Sequence, residues 1–153
     1  MGLHIEDVLI RKVVTIESGS SVVDAINMMS KYSTSCLIAL DGNKIDGILT
    51  TRDIIYRVIA DELDPRQVTV HDASSRPVIM LRPEMPLEEA VRVMLQRKIK
   101  KIPLISEDGR LMGIVSLSDI VEYHSELFSN IWERIRKNLP DSGLEGDLKI
   151  TQF

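Results

Sequence analysis

A chain of 153 residues, 44% of them hydrophobic, can bury a core without covalent staples. Its formal net charge of −4 argues against a general nucleic-acid binder, which grips phosphates through lysine and arginine. One cysteine, Cys36, excludes an intramolecular disulfide and fits a reducing, cytoplasmic compartment, while apolar runs of only a handful of residues exclude a membrane-spanning helix.

In chain order, "VVTI" at 13–16 reads as a short strand, and "SSVVDAINMMSKY" at 20–32 carries apolar residues at helical spacing. Two apolar runs around Asp41-Gly42-Asn43 predict a β-hairpin. Its second strand ends in "GILTTRD", where Thr50-x-x-Asp53 has the pattern that opens a helix. Asp64-Pro65 in "DELDPRQ" stops that helix.

The order then repeats. "VIML" at 78–81 predicts a strand, "PLEEAVRVMLQRK" at 86–98 a helix, and "KKIPLI" and "GIVSLSD" a hairpin around Glu107-Asp108-Gly109. An offset of 65 residues matches Asp7 to Asp72, Ala25 to Ala90 and Met29 to Met94, and becomes 66 after the hairpin turn. A one-residue insertion is tolerated there because the turn lies outside the paired strands. Asp7 and Asp72 therefore read as repeated capping or turn residues rather than an acid–base couple. The fold class is α/β, two β-α-β-β-α repeats at 3–66 and 67–124. A unit of this size buries little alone, so the sheets are expected to pack together with pseudo-two-fold symmetry. Met28, Met29, Met94 and Met112 are assigned to packing.

"SLSDIVEYHSELFSNIWERIRKNL" predicts a last helix longer than its counterpart, extending over 125–139 with a tail at 140–153. Leu127, Phe128, Ile131, Trp132 and Ile135 form one apolar stripe. His4, His71 and His124 share no metal-ligand spacing, so no metal centre is expected.

The doubled "GILTTRDII" and "GIVSLSDIV", with "KKIPLI", resemble a tandem pair of cystathionine β-synthase (CBS) domains, a Bateman module, over roughly residues 3–124. Ile38 stands where the second repeat has Pro103. The resemblance implies clefts between the repeats that take adenosine-containing ligands (AMP, ADP, ATP or S-adenosylmethionine) as regulatory ligands, with no required cofactor and no catalytic residue. It implies that Asp53 and Asp119 hold ribose hydroxyls and that Thr50 and Ser116 face phosphates. Arg52, Ser118, Lys100 and Lys101 would add phosphate contacts, and backbone near Val14, Thr34, Ile79 and Ile99 would frame the base. The Asp119 cleft is the better equipped, since Ser116, Ser118 and "KIKK" supply hydroxyls and cations. The chemistry suits the roles: a carboxylate accepts both hydrogens of a cis-diol, and a helix start offers free N–H groups to phosphate.

The expected function is a stand-alone regulatory module that passes adenine-nucleotide occupancy to a protein partner, with the long helix helping to make a homodimer. The alternative is an interaction or dimerisation scaffold whose clefts stay empty.

Overall fold

The computed structural model describes residues 2–8, 12–123 and 125–138. Strand β1 (Thr15–Glu17) leads to helix α1 (Val22–Lys31), the hairpin β2 (Cys36–Asp41) and β3 (Lys44–Thr50), and helix α2 (Thr51–Ile54), which continues as a π-helical turn over Ile55–Ile59. After a short helix α3 (Val70–Ala73) the second repeat supplies α4 (Leu87–Arg97), β4 (Lys101–Ile105), β5 (Leu111–Ser116) and α5 (Leu117–Tyr123). Helix α6 (Ser125–Asn138) follows. Among the described residues no helix is long and apolar enough to cross a membrane.

In the first sheet β1 runs parallel to β2 and β2 antiparallel to β3, with Ile16 opposite Ala39 and Leu37 opposite Leu49. The second repeat keeps the hairpin but not the expected strand at 78–81. Leu81 alone bridges to Leu104, in the register that Ile16 and Ala39 hold in the first repeat. Proline chemistry accounts for the loss. Ile38 N–H donates to the Val14 carbonyl at 3.0 Å, whereas Pro103, at the matching position, has no N–H to offer Ile79.

The repeats exchange their lead-in segments. Leu87 N–H donates to Leu3 O (2.8 Å), Ile5 N–H to Met85 O (2.9 Å) and Glu6 N–H to Pro83 O (3.0 Å). Sixty-five residues away, Val22 donates to Val68 (3.0 Å), Val70 to Ser20 (2.8 Å) and His71 to Ser18 (2.9 Å). The same exchange builds the cores. Val70 and Ala73 are buried with Ile16, Val22, Leu37 and Leu49 of the first repeat, while Ile5 and Val8 are buried with Leu87, Val91, Ile102 and Val115 of the second. Sheet packing across the pseudo-dyad leaves a groove of about 610 Å³ that Leu40 and Ile45 line from one side and Leu111 and Met112 from the other.

Three details refine the sequence reading. Met29 and Met94 are buried and Met28 packs against the first core, but Met112 is 52% exposed because its β5 position faces the groove. Ile131 and Ile135 of α6 are buried in the second core of their own chain, so this part of the apolar stripe already has a partner. The side chains of Leu127 and Phe128, residue His124 and the tail 140–153 lie outside the described residues.

Gly47, the first letter of "GILTTRD", is explained by packing. A Cβ there would sit 2.6 Å from Cβ of Ser74, and the buried Ser74 is itself fixed by a 2.6 Å hydrogen bond to Val70 O. Only glycine lets β3 approach the end of α3 this closely.

Candidate functional site

Both hydroxyl-x-x-Asp motifs sit where a strand turns into a helix, and in the first repeat the corner is a complete capping box. Thr50 Oγ1 accepts from Asp53 N–H at 3.2 Å, and Asp53 Oδ2 accepts from Thr50 N–H at 2.9 Å and from Thr50 Oγ1 at 2.7 Å. Aspartate is shorter than the usual glutamate of such a box, yet it closes the box again between Ser21 and Asp24. Asp7 Oδ2 accepts from His4 N–H at 2.8 Å as a cap partner, whereas at α3 the cap is Thr69, whose Oγ1 accepts from Asp72 N–H at 3.1 Å and donates to Asp72 Oδ2 at 2.7 Å.

The second corner opens on a cavity of about 350 Å³ between the repeats. Five expected residues line it together: Ser116, Ser118, Asp119 and Lys101 from the second repeat and Thr34 from the first. Asp119 and Ser116 are buried, at 5% and 6% exposure, so a carboxylate and a hydroxyl face this space from a low-dielectric wall. Lys101 Nζ reaches across to donate to Ser35 Oγ at 2.8 Å, joining the repeats at the cavity wall.

The other expected residues are elsewhere. Lys100 is exposed, Arg52 lies over the Tyr56 ring at 5.4 Å, and Val14 and Ile99 are half-buried against the first and second cores. Ile79 is half-buried in the segment that lost its strand. Thr50 and Asp53 face one another in their cap, and Asp53 accepts a further bond from Ser75 Oγ at 3.0 Å.

Sequence reasoning missed Lys12, Ser33, Ser35, Ile114 and Glu122, which also line the cavity. The signal within reach was "STS" at 33–35 around the expected Thr34. Cys36 lines the same wall, and burial pushes its thiol up to about 11. It therefore stays protonated near neutrality, as a packing group rather than a nucleophile.

A second polar cluster ties the lead-in of repeat 2 to the first sheet. Asp46 Oδ2 accepts from Ser18 Oγ at 2.6 Å and lies 2.6 Å from His71 Nδ1, while Arg76 Nη1 is 2.6 Å from His71 Nε2. Arginine can only donate, so Nε2 accepts and Nδ1 carries the hydrogen toward Asp46. The hydrogen bonds from Ser18 and then His71 hold the Asp46 carboxyl below its ordinary value of 3.8. Among the described residues no cluster of histidine, cysteine and carboxylates could hold a metal ion.

The sequence profile of the CBS domain matches residues 5–60 and again 70–126. The chain belongs to the CBS domain family. An uncharacterized protein of Methanopyrus kandleri is 29% identical over 136 residues, 88% of this chain and 69% of that one. The inosine-5'-monophosphate dehydrogenase of Korarchaeum cryptofilum is 32% identical over 124 residues, but the CBS pair matches only 25% of its length. Among solved structures, a hexameric CBS-CP12 protein from bloom-forming cyanobacteria superposes with a TM-score of 0.74 at 28% identity, covering 90% of this chain and 85% of that one. The CBS domain pair of protein MJ0100, solved with 5-methylthioadenosine and S-adenosyl-L-methionine, gives a TM-score of 0.70 at 25% identity and covers 85% and 98% of the two chains.

Proposed function

We propose that this CBS pair is a cytoplasmic regulatory module that binds an adenosine-containing ligand in the Asp119 cavity and reports occupancy to a protein partner. The observation that carries the reading is the convergence of Asp119, Ser116, Ser118, Lys101 and Thr34 from two repeats on one cavity. A buried carboxylate is suited to a ribose diol, and the hydroxyls and Lys101 are suited to an anionic tail. The ligands held by the MJ0100 pair are of the same chemical class. Occupancy can alter the repeat angle directly, because a phosphate that recruits Lys101 competes with its bond to Ser35.

Calorimetric titration with AMP, ADP, ATP and S-adenosylmethionine tests the reading. At least one is expected to bind, and Asp119→Asn is expected to weaken it by about ten- to hundred-fold, since one charged hydrogen-bond acceptor is worth about 1.5–3 kcal/mol. Equal affinity in both proteins would remove Asp119 from the site.

A second reading, an interaction scaffold, is favoured by one specific surface. Ile26 of α1 and Ile55 of the π-helical turn line a shared hollow, and Ile55, Tyr56 and Ile59 are each more than half exposed. In this reading the face covers a second copy of the chain, replacing α6 as the expected homodimer contact. A monomer in sedimentation at micromolar concentration would count against it.

A further inference from the structure

The polar cluster at Asp46 is not repeated by the duplication and belongs to neither the cavity nor the caps. At the 65- and 66-residue offsets the positions matching His71 and Asp46 are Glu6 and Met112, so the exchange of lead-ins does not itself call for a histidine here. His71 stands between opposite charges. Its Nδ1 donates to Asp46 Oδ2 at 2.6 Å, and its Nε2 accepts from Arg76 Nη1 at 2.6 Å. With 44% of the side chain exposed, the ring exchanges protons with water.

The arrangement is specific to the neutral ring. Arginine can only donate, so the bond from Arg76 exists only while Nε2 keeps its lone pair. Imidazole is the side chain that ordinarily changes charge between about pH 5 and 8. The incoming proton must settle on Nε2, because Nδ1 already carries one. It preserves the bond to Asp46 and sets an N–H and a positive charge against the guanidinium, where a hydrogen bond had been. Asp46 remains a carboxylate throughout, since hydrogen bonds from Ser18 and then His71 hold it below its ordinary value of 3.8. The other charged groups on the neighbouring elements are engaged or set apart. Asp72, on the ring's own helix, accepts from Thr69, and Lys44 lies two residues along β3 toward the hairpin turn. On α1, which also packs against α3, Asp24 closes the box with Ser21 and Lys31 lies over the Tyr32 ring.

What Arg76 secures is the exchanged lead-in. It follows Ser75, whose backbone pairs in both directions with Ile48, at 2.8 and 3.2 Å. Its Cγ lies 3.4 Å from where a Cβ on Gly47 would stand, so the side chain passes over β3 to reach the ring. Beyond it, residues 78–80 have no regular secondary structure until Leu81 bridges to Leu104. We propose that His71 is a pH-operated latch on this segment: neutral, it holds the Arg76 guanidinium against β3; protonated, it releases it and loosens residues 76–80. The latch stands apart from the nucleotide reading of the Asp119 cavity and does not depend on it.

The test is NMR on the full isotope-labelled chain between about pH 8 and pH 5, the ring being identified by the signal that disappears in His71→Gln. At the upper end the ring is expected to be the Nδ1–H tautomer, the reverse of free histidine, with the Arg76 Nε–H group ordered. As the ring takes its proton, the Arg76 order parameter is expected to fall below about 0.6, the range of flexible groups, with the same midpoint as the ring. The Nε2–H tautomer at the upper end, a ring that takes up no proton over the range, or an Arg76 that stays ordered while it does so would each overturn the proposal. Glutamine at position 71 offers a carbonyl oxygen to Arg76 and an amide N–H to Asp46 at every pH. In that variant Arg76 should stay ordered throughout, and a pH-dependent loss there would also overturn the latch. Should the variant not fold, the ring is assigned through His4→Gln and His124→Gln, and the wild-type readings decide.

Discussion

Asp46 has no place in the repeated motif, yet it joins three segments: Ser18 after β1, its own strand β3, and His71 in α3. Its depressed pKa carries a definite sign. The folded state binds the Asp46 proton less readily than the unfolded chain does, so the contribution to stability is complete above the ordinary value of 3.8 and is lost as pH falls through the lower folded value. Urea denaturation from pH 6 down to pH 2.5 should show the wild-type midpoint falling more steeply below about pH 4 than that of Asp46→Asn. Parallel curves would mean that the carboxyl adds nothing. Gly47, the next residue, makes a steric prediction. Alanine there must displace Ser74 and its bond to Val70 O, and overpacking of this kind costs about 1–3 kcal/mol. Thermal melts that leave Gly47→Ala at the wild-type midpoint would contradict the close approach.

At the scale of elements, what the sequence disclosed depended on whether the signal was local. The helices at 22–31 and 87–97 and both hairpins follow from periodicity and turn residues, because these act within a few positions. The strand expected at 78–81 is lost for a non-local reason: the partner it needs is the N–H that Pro103 lacks, more than twenty residues away. The same distinction runs through the site. Ser116, Ser118 and Asp119 lie within four residues, and Glu122 follows one helical turn after Asp119, whereas Lys12 and the 33–35 segment reach the cavity from the first repeat, an approach that no local pattern of the second repeat encodes. Helix α6 shows the limit most plainly. Its apolar stripe is expected to help make a homodimer, and Ile131 and Ile135 are buried in one cluster with Ile5, Leu87 and Val91 of the same chain. Ile131→Ala should therefore destabilise the monomer fold by about 2–5 kcal/mol in chemical denaturation. A chain ending at Ser125 should melt lower than the full chain by more than loss of a solvated helix would explain. An unchanged melt with a reduced sedimentation coefficient would instead return α6 to an intermolecular role.

For the whole molecule, the reciprocal lead-ins make the two sequence repeats poor folding units. A fragment of residues 1–66 keeps β1, α1, the first hairpin and α2, but lacks Val70 and Ala73, which are 0% and 1% exposed in its core. It also carries Ile5 and Val8 with no second core to receive them. Burying a valine or isoleucine side chain is worth about 1.5–3 kcal/mol. Losing Val70 alone removes a sizeable share of the stability of a domain this small, since even complete proteins have only about 5–15 kcal/mol. The backbone partners vanish as well, since Val22 N–H and the carbonyls of Ser18 and Ser20 pair with residues 68–71. The fragment is therefore expected to show no cooperative urea transition as a monomer. Mixing it with residues 67–153 should restore one, because each piece holds the segment the other core needs. A monomeric 1–66 fragment that unfolds cooperatively by itself, or a mixture that remains without a transition, would show that the exchanged lead-ins decorate two independent cores rather than complete them.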